Sequence, residues 1–399
     1  MHRLFSRYLN HCLTIVLVVS FCFVIPGCGS NIKSHSIPLK MGLLVPYTGV
    51  FANLGNDITR GMELYLDEVG WKAGGREIKL IKEDDESNGQ TGLQKTRKLV
   101  ENDKIDILAG VVSSTVAYAI RDYIVGSQIP FIISNAGAAD LTREKGSKYI
   151  FRVSFSNGQF EYPMGAYAYN QLKYRRVVVM APDYAAGHEK ATGFITGFKK
   201  AGGQIVQEIY PKLGTTDFGP FLTQVKEADA VWAFFSGSDS ISFVKQYEEY
   251  GLKKKLPLIC AGDLVDESAL PSQGDAAVGI LSSAHYSAAL ETPENEKFAA
   301  AYKSKYKVDP NMFAEQGYVT AKVIIDALGT VNGNVADKDK LLAAIRSANF
   351  DAPRGPFKFE AKSQNVIFNV YIRKVEKKDG KLVNTVLETI PEIKDDWNR

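Results

Sequence analysis

The sequence predicts an α/β protein made of two doubly wound parallel-sheet lobes, and three observations carry that expectation. Short apolar runs alternate with amphipathic stretches, the rhythm of strands joined by crossover helices. The rhythm starts afresh part-way along the chain. The length, 399 residues, suits about two domains at roughly 150 residues each, so two sheets fit better than one very wide one.

The first series opens with Leu39 to Val45, an apolar run short enough for a buried strand. Ile58, Met62, Tyr65, Leu66 and Val69 then share one helical face. Ile78 to Ile81 predicts a strand, Leu93 to Val100 a helix and Ile105 to Ala109 a strand; a helix follows Ser113, and Phe131 to Ile133 is a further strand. After Tyr149 to Val153 a second series is expected. It runs helix Tyr162–Leu172, strand Val177–Met180, helix Glu189–Ala201, strand Ile205–Ile209, helix Phe221–Glu227 and strand Ala230–Phe235. Helix Ile241–Tyr250 and strand Leu258–Cys260 complete it. Beyond Gly279 to Ala284, helices are expected over Asn295–Tyr306, Phe313–Leu328 and near Lys340–Ser347. The tail is β-rich at Phe357–Phe359, Val366–Val375 and Leu382–Ile390, with Asp379-Gly380 as a hairpin turn.

Ahead of these elements, Arg3 and Arg7 precede an apolar stretch from Leu13 to Ile25 that is short for a stable membrane span. Small Gly27 before Cys28 then completes a lipoprotein signal peptide over residues 1–27, with Cys28 as the lipidated start of the mature chain. The alternative is an uncleaved anchor helix. Either places the folded part in the cell envelope, periplasmic or extracytoplasmic, tethered to a membrane. Residues 28–36 are short and polar enough for a spacer.

With two of the 48 basic residues in the leader, charge nearly balances the 45 acidic ones, which excludes nucleic acid as an expected partner. Cys12 and Cys22 also fall in the leader, so Cys260 stands alone in an apolar run and no disulfide framework is expected. It reads as a small buried hydrophobe. Nucleophile-elbow, phosphate-loop, dinucleotide and HExxH motifs are absent, and the five His are scattered. No catalytic residue, metal site or cofactor is therefore expected. Glu83 to Glu86 lacks the alternating ligand spacing of a calcium loop and reads as a solvated strand end, while His188 and His285 read as surface or rim residues.

Open α/β sheets bind ligands beyond the carboxyl ends of their strands, where helix N-termini present free N–H groups. Pro46–Gly55, Gly110–Thr115 and Ser134–Ala139 are such loops, rich in small residues. Ser113 or Ser114 can cap the next helix and offer an O–H to a carboxylate, or cap it alone. Small Ser134–Ala139 lets a ligand reach the backbone, or forms a tight turn. Asp183, Tyr184 and Asp263 lie at the opposite rim, where a carboxylate can meet a ligand ammonium or simply cap a turn.

Leu43-Leu44-Val45-Pro46-Tyr47-Thr48-Gly49 with Gly55 and Gly61, then Gly110-Val111-Val112-Ser113-Ser114, Phe131-Ile132-Ile133-Ser134, Asp140-Leu141-Thr142 and Tyr149-Ile150-Phe151-Arg152 follow one another in order. Asp183-Tyr184-Ala185-Ala186-Gly187, Gly197-Phe198 and Gly317-Tyr318 continue the series. In that order they resemble, across the mature chain, the substrate-binding lipoproteins of ABC importers in the leucine/isoleucine/valine-binding family, which share the type I periplasmic-binding-protein fold. The resemblance implies lobe I at 37–153 plus 286–347, lobe II at 154–285 plus 348–399, and a three-segment hinge. It further implies a monomer that closes on one small organic solute, performs no chemistry and delivers the solute to a membrane permease.

Carried over by position, Ser113 or Ser114 meets the ligand carboxylate, Asn135, Ala136 and Gly137 complete that half, and Phe51 and Leu54 line the side-chain end. Tyr184, Ala186, Ser238 and Asp263 would complete the pocket from lobe II. Amino-acid-binding relatives often carry a Thr where this chain has Gly137, and a lobe II glutamate that Asp263 at best replaces. Asn135-Ala136-Gly137-Ala138 and Phe151 to Asn157 look more like an aromatic-carboxylate branch, with Gly137 leaving room for a ring and Phe51, Phe155 and Tyr184 stacking on it. An aromatic carboxylate is thus favoured over a branched-chain amino acid. A sensory module for a signalling partner and an envelope hydrolase are the alternatives.

Overall fold

The computed structural model describes residues 37–397; the expected leader, Cys28 and the spacer lie outside the described residues. Strand β1 (Leu39–Val45) sits at the centre of the first sheet, followed by α1 (Ala52–Glu68), the hairpin of β2 (Lys72–Ala73) and β3 (Arg76–Asp84), and α2 (Gly89–Arg97). Then come β4 (Ile107–Gly110), α3 (Ser114–Ser127), β5 (Phe131–Ile133) and β6 (Ile150–Arg152). Met41 of β1 faces Leu80 of β3 on one side and Ile107 of β4 on the other, both parallel. The strand order is β2-β3-β1-β4-β5-β6.

The second sheet is built from α4 (Glu161–Asn170), β7 (Arg176–Met180), α5 (Ala185–Ala201), β8 (Gln204–Ile209) and the single turn α6 (Gly219–Leu222). It continues with β9 (Ala230–Ala233), α7 (Ser238–Glu249), β10 (Leu258–Ala261), the short α8 (Leu270–Gln273) and β11 (Leu281–Ala284). Val177, Val178 and Val179 form a β-branched run buried on both faces, as a central parallel strand requires. Its parallel part is ordered β8-β7-β9-β10-β11. Counting parallel strands along the chain, both sheets share one order, second-first-third-fourth-fifth, which reverses beside the first strand.

Helices α9 (Pro293–Tyr306), α10 (Met312–Thr330) and α11 (Lys338–Arg346) return the chain to the first sheet. There α10 crosses α1 so closely that a Cβ on Gly61 would strike the Ala314 carbonyl, and one on Gly317 would strike that of Ile58. Only glycine permits that approach. Strands β12 (Asn349–Ala352), β13 (Gly355–Phe359), β14 (Val366–Lys378) and β15 (Lys381–Ile393) then extend the second sheet antiparallel from β11.

The chain thus crosses between the sheets after β6, after β11 and after α11. Buried Arg354 ties two crossings together: its Nη1 donates to the carbonyls of Val153 (2.8 Å) and Ser154 (3.2 Å), and its Nε donates to Glu315 on α10 (2.8 Å). Arg373 donates to the Tyr286 carbonyl of the crossing after β11 at 2.6 Å.

Tyr149 to Val153 contributes β6, the edge of the first sheet, ahead of the second series. Two expectations change. The helix expected over Phe221–Glu227 is the turn α6, because its apolar residues pack from irregular chain. The acidic run is not uniformly solvated: Asp84 accepts from the Tyr47 amide (2.9 Å) and the Thr48 hydroxyl (2.8 Å), and Asp85 is buried, which pushes its carboxyl up to about 7. Among the described residues no helix is long and apolar enough to cross a membrane.

Candidate functional site

The order of each sheet reverses between its first and third parallel strands, and the loops leaving those strands converge on one cavity between the sheets. Its free space is only about 20 Å³, room for a water and far below the ~300–1,000 Å³ usual for small-molecule pockets. From the first sheet, Phe51 and Leu54 follow β1, Val112 and Ser114 follow β4, and Asn135 and Gly137 follow β5. Phe155 and Asn157 come from the first crossing. From the second sheet, Tyr184, Ala186 and Lys190 follow β7, Phe234 and Ser236 follow β9, and Asp263 follows β10.

Of the residues expected here, Phe51, Leu54, Ser114, Asn135, Gly137, Tyr184, Ala186 and Asp263 line the cavity. Ser113, Ala136 and Ser238 stand beside it. Ser113 is the residue before α3, Ala136 packs in the core of the first sheet, and the Ser238 amide donates to the Val50 carbonyl (3.3 Å) across the mouth. That mouth contact needs Gly237, whose φ of +63° and missing Cβ let it lie against Val50. The structure is closed around its cavity.

Four helices that begin away from the cleft carry side-chain caps, although α4 and the single turns α6 and α8 do not. Asn88, Thr292, Asn311 and Asp337 cap α2, α9, α10 and α11 with their side chains. At the cleft, α1, α3, α5 and α7 start without any side-chain cap. The first amides of a helix have no intrahelical partner, so uncapped ends at a cavity favour an anion. At α3 the Ser114 hydroxyl accepts from Asn157 Nδ2 (3.2 Å) and keeps its own hydrogen to donate.

On the other side stands a group that spacing did not reveal. The Lys190 ammonium is buried, bonded to Glu161 Oε1 (2.7 Å) and Asp263 Oδ2 (3.2 Å), and lies 4.2 Å from the ring centres of Phe155 and Phe160 and 4.9 Å from that of Phe234. Burial pushes the Glu161 carboxyl up, against the pull of the Lys190 charge, to about 6. A lysine inside a predicted amphipathic helix gives no sign that it points inward. The expected role of Asp263 also changes, since one of its oxygens already holds an ammonium.

Two further expectations are corrected. The space beside Gly137 is not open to a ring, because a Cβ there would collide with the Asn157 side chain. His285 is fully buried against Phe155, Phe160 and Phe368, and burial together with the Arg354, Arg373 and Lys190 charges holds its ring neutral. It meets the Gln316 amide at 3.2 Å, and Gln316 accepts from Asn135 at 2.8 Å, so it supports the cavity wall from behind. His188 is exposed beside Asp183, as a surface residue should be. Cys260 is buried, which pushes its thiol up. Among the described residues no cluster of metal-ligating side chains occurs.

Comparison with known proteins agrees with this geometry. A family model described as periplasmic binding protein matches residues 38–381. The Leu/Ile/Val-binding protein homolog 6 of Brucella melitensis is 29% identical over 88% of this chain and 91% of its own length. An ABC transporter substrate-binding protein from Sphaerobacter thermophilus is 40% identical with a TM-score of 0.85, covering 90% of this chain and 99% of that one. A solute-binding protein of an ABC transporter from R. palustris, in complex with benzoate, is 37% identical with a TM-score of 0.83, covering 89% and 98%.

Proposed function

We propose, from the premise that this chain belongs to the periplasmic binding protein family as an extracytoplasmic substrate-binding protein of an ABC transporter, that the solute it captures is an aromatic carboxylate. The observation that carries this reading is the occupied state of the cavity's one lining carboxylate among the described residues. Asp263 already holds Lys190, so an amino-acid ammonium placed there would face another ammonium in a low-dielectric site. A ring has no such conflict. Phe51, Phe155, Tyr184 and Phe234 give it apolar walls, and Ser114 with the uncapped start of α3 suits its carboxylate. The benzoate-bound relative points the same way.

In this reading 37–153 with 286–347 forms one lobe and 154–285 with 348–399 the other, and they close about the three crossings. The protein acts as a monomer without chemistry of its own, held to a membrane by lipid on Cys28, and passes the solute to a permease. Thermal unfolding of the purified protein with benzoate, hydroxybenzoates, phenylalanine and leucine tests the solute class. A binding aromatic acid at a hundredfold excess over its Kd adds about 2.7 kcal/mol of stability. Stabilisation by leucine or phenylalanine, with none by any aromatic acid, would overturn the reading.

A further inference from the structure

We infer that a second cavity, between α1 and the loop after β10, is a binding site for a primary amine with an apolar body. This holds whichever solute the cleft takes. The cavity has about 800 Å³ of free space, within the ~300–1,000 Å³ usual for small-molecule sites. Asp57 of α1 lines it from the first sheet, while Glu267, from the loop after β10, and Asn384, on β15, line it from the second. A ligand that touches both sides favours the arrangement of the sheets seen here.

Two oxygens at this cavity have no partner. The Asn384 amide nitrogen donates to the Val265 carbonyl (2.8 Å) and to Glu267 Oε1 (3.1 Å), so the amide's orientation is fixed and its Oδ1 can only accept. Glu267 Oε1 also accepts from the Ala288 amide (3.3 Å). Glu267 Oε2 and Asn384 Oδ1 are both buried without a hydrogen bond, on a Glu267 side chain that is 9% exposed and an Asn384 that is 1% exposed.

Charge gives the sign of the missing group. Asp57 has Arg60 at 3.1 Å and Glu267 has Arg373 at 3.7 Å, but Asp266, buried next to Glu267, pairs with no cation among the described residues. Burial and the charges of Glu267 and Asp57 push the Asp266 carboxyl up. Of the rim cations, Lys377 is held by Asp275 (3.0 Å), and Lys381 is exposed, where water screens it. Adjacent acceptors in an acid-rich wall call for a positively charged donor, and an ammonium has three N–H groups, two of which meet these oxygens. A metal ion does not fit, since no cluster of metal-ligating side chains occurs among the described residues. Leu270, Pro271, Val308, Pro310 and Leu382 form an apolar wall for the amine's hydrocarbon.

Calorimetric titration of the purified protein with hexylamine and with hexanol, which has the same chain without the charge, tests this together with amide NMR spectra. Hexylamine is expected to bind at least tenfold more tightly than hexanol, because its bonds to these oxygens are charge-assisted. It should move the amide signals of Ser268, Ala288 and Asn384 most, and those of Ser114 and Gly137 in the cleft least. Glu267→Gln should bring the ratio of hexylamine to hexanol affinities down to threefold or less. If Glu267→Gln does not fold, the spectra of the native protein decide alone. No binding of hexylamine, equal binding of the two compounds, largest shifts in the cleft, or an unchanged ratio in Glu267→Gln would each overturn the inference.

Discussion

The two rims of the cleft come from sheets with the same strand order, yet their chemistry is opposite. The first sheet contributes Phe51, Leu54, Val112, Ser114, Asn135 and Gly137, none of them ionisable. The second contributes Lys190 and Asp263, with Glu161 behind them. Topology therefore fixes where a ligand sits, at the reversal point of each sheet, and leaves its recognition to a few residues just past the strand ends. One rim offers bare backbone and a hydroxyl to an anion. The other surrounds its own cation with aromatic rings and carboxylates.

The largest effect expected from this difference is on stability. Lys190→Met would strand two buried carboxylates, and removing one partner of a buried ion pair costs about 3–5 kcal/mol. Urea denaturation without solute should show that loss, and adding Glu161→Gln to Lys190→Met should recover part of it. A loss below about 1 kcal/mol would mean that this ion cluster is not buried as described. On the neutral rim the effect moves from stability to affinity. Ser114→Ala removes a hydrogen bond to a charged ligand, about 1.5–3 kcal/mol, so Kd for an aromatic acid should rise at least tenfold. Ser113→Ala, beside the cavity but not on it, should change Kd by less than about twofold. Equal effects at the two serines would assign the carboxylate wrongly.

The same contrast explains what the sequence could reveal. Strand ends and their loops are local in sequence, so Pro46–Gly55, Gly110–Thr115 and Ser134–Ala139 identify themselves by small residues after apolar runs. Gly61 and Gly317 belong to the resemblance, and the close helix crossing explains why they are glycine. The charged rim was not legible. Lys190 meets Glu161 from a different helix and Asp263 from a loop 73 residues on, and a long-range pair of that kind leaves no periodic trace. The burial of His285 and Asp85 is hidden for the same reason, since it is decided by partners distant in the chain. The expected place for a ring at Gly137 failed because Asn157 fills it from a crossing segment.

A pH effect of intermediate size belongs to the charged rim. Glu161 is pushed up to about 6, chiefly by burial, whereas an unfolded glutamate titrates near ~4.3. The folded state therefore holds a proton between those values that the unfolded state has released. This contribution to stability is complete below ~4.3 and is lost as pH rises through about 6, a change of about 2 kcal/mol. Native protein minus Glu161→Gln, measured by urea denaturation from pH 4.5 to 7.5, should show that difference. Asp85 titrates in both proteins and cancels. A flat difference would show that Glu161 stays ionised beside Lys190.

The smallest effect tests how the rims hold each other. Glu189 of α5 belongs to the second sheet, but its carboxylate accepts from the Tyr118 hydroxyl of α3 (2.8 Å), the Ala139 amide (3.0 Å) and Asn157 Nδ2 (2.9 Å). Tyr118 and Ala139 lie on the first-sheet side, so those two bonds exist only while the cleft is closed. Asn157 links them to Ser114, the residue proposed to meet the ligand's acid group. Glu189→Gln keeps the size of the side chain but weakens charge-assisted bonds, each worth about 1 kcal/mol more than a neutral one. The solute should then leave about five- to tenfold faster, with its association rate nearly unchanged, because encounter takes place on the open form before the clasp has formed. Tyr118→Phe should add little on top of Glu189→Gln, since both remove one contact. Stopped-flow release of an aromatic acid reads all three proteins. An unchanged release rate, or fully additive losses, would show that closure is held by the Val50–Ser238 mouth and the ring contacts of Phe51 with Tyr184, not by a carboxylate spanning the two sheets.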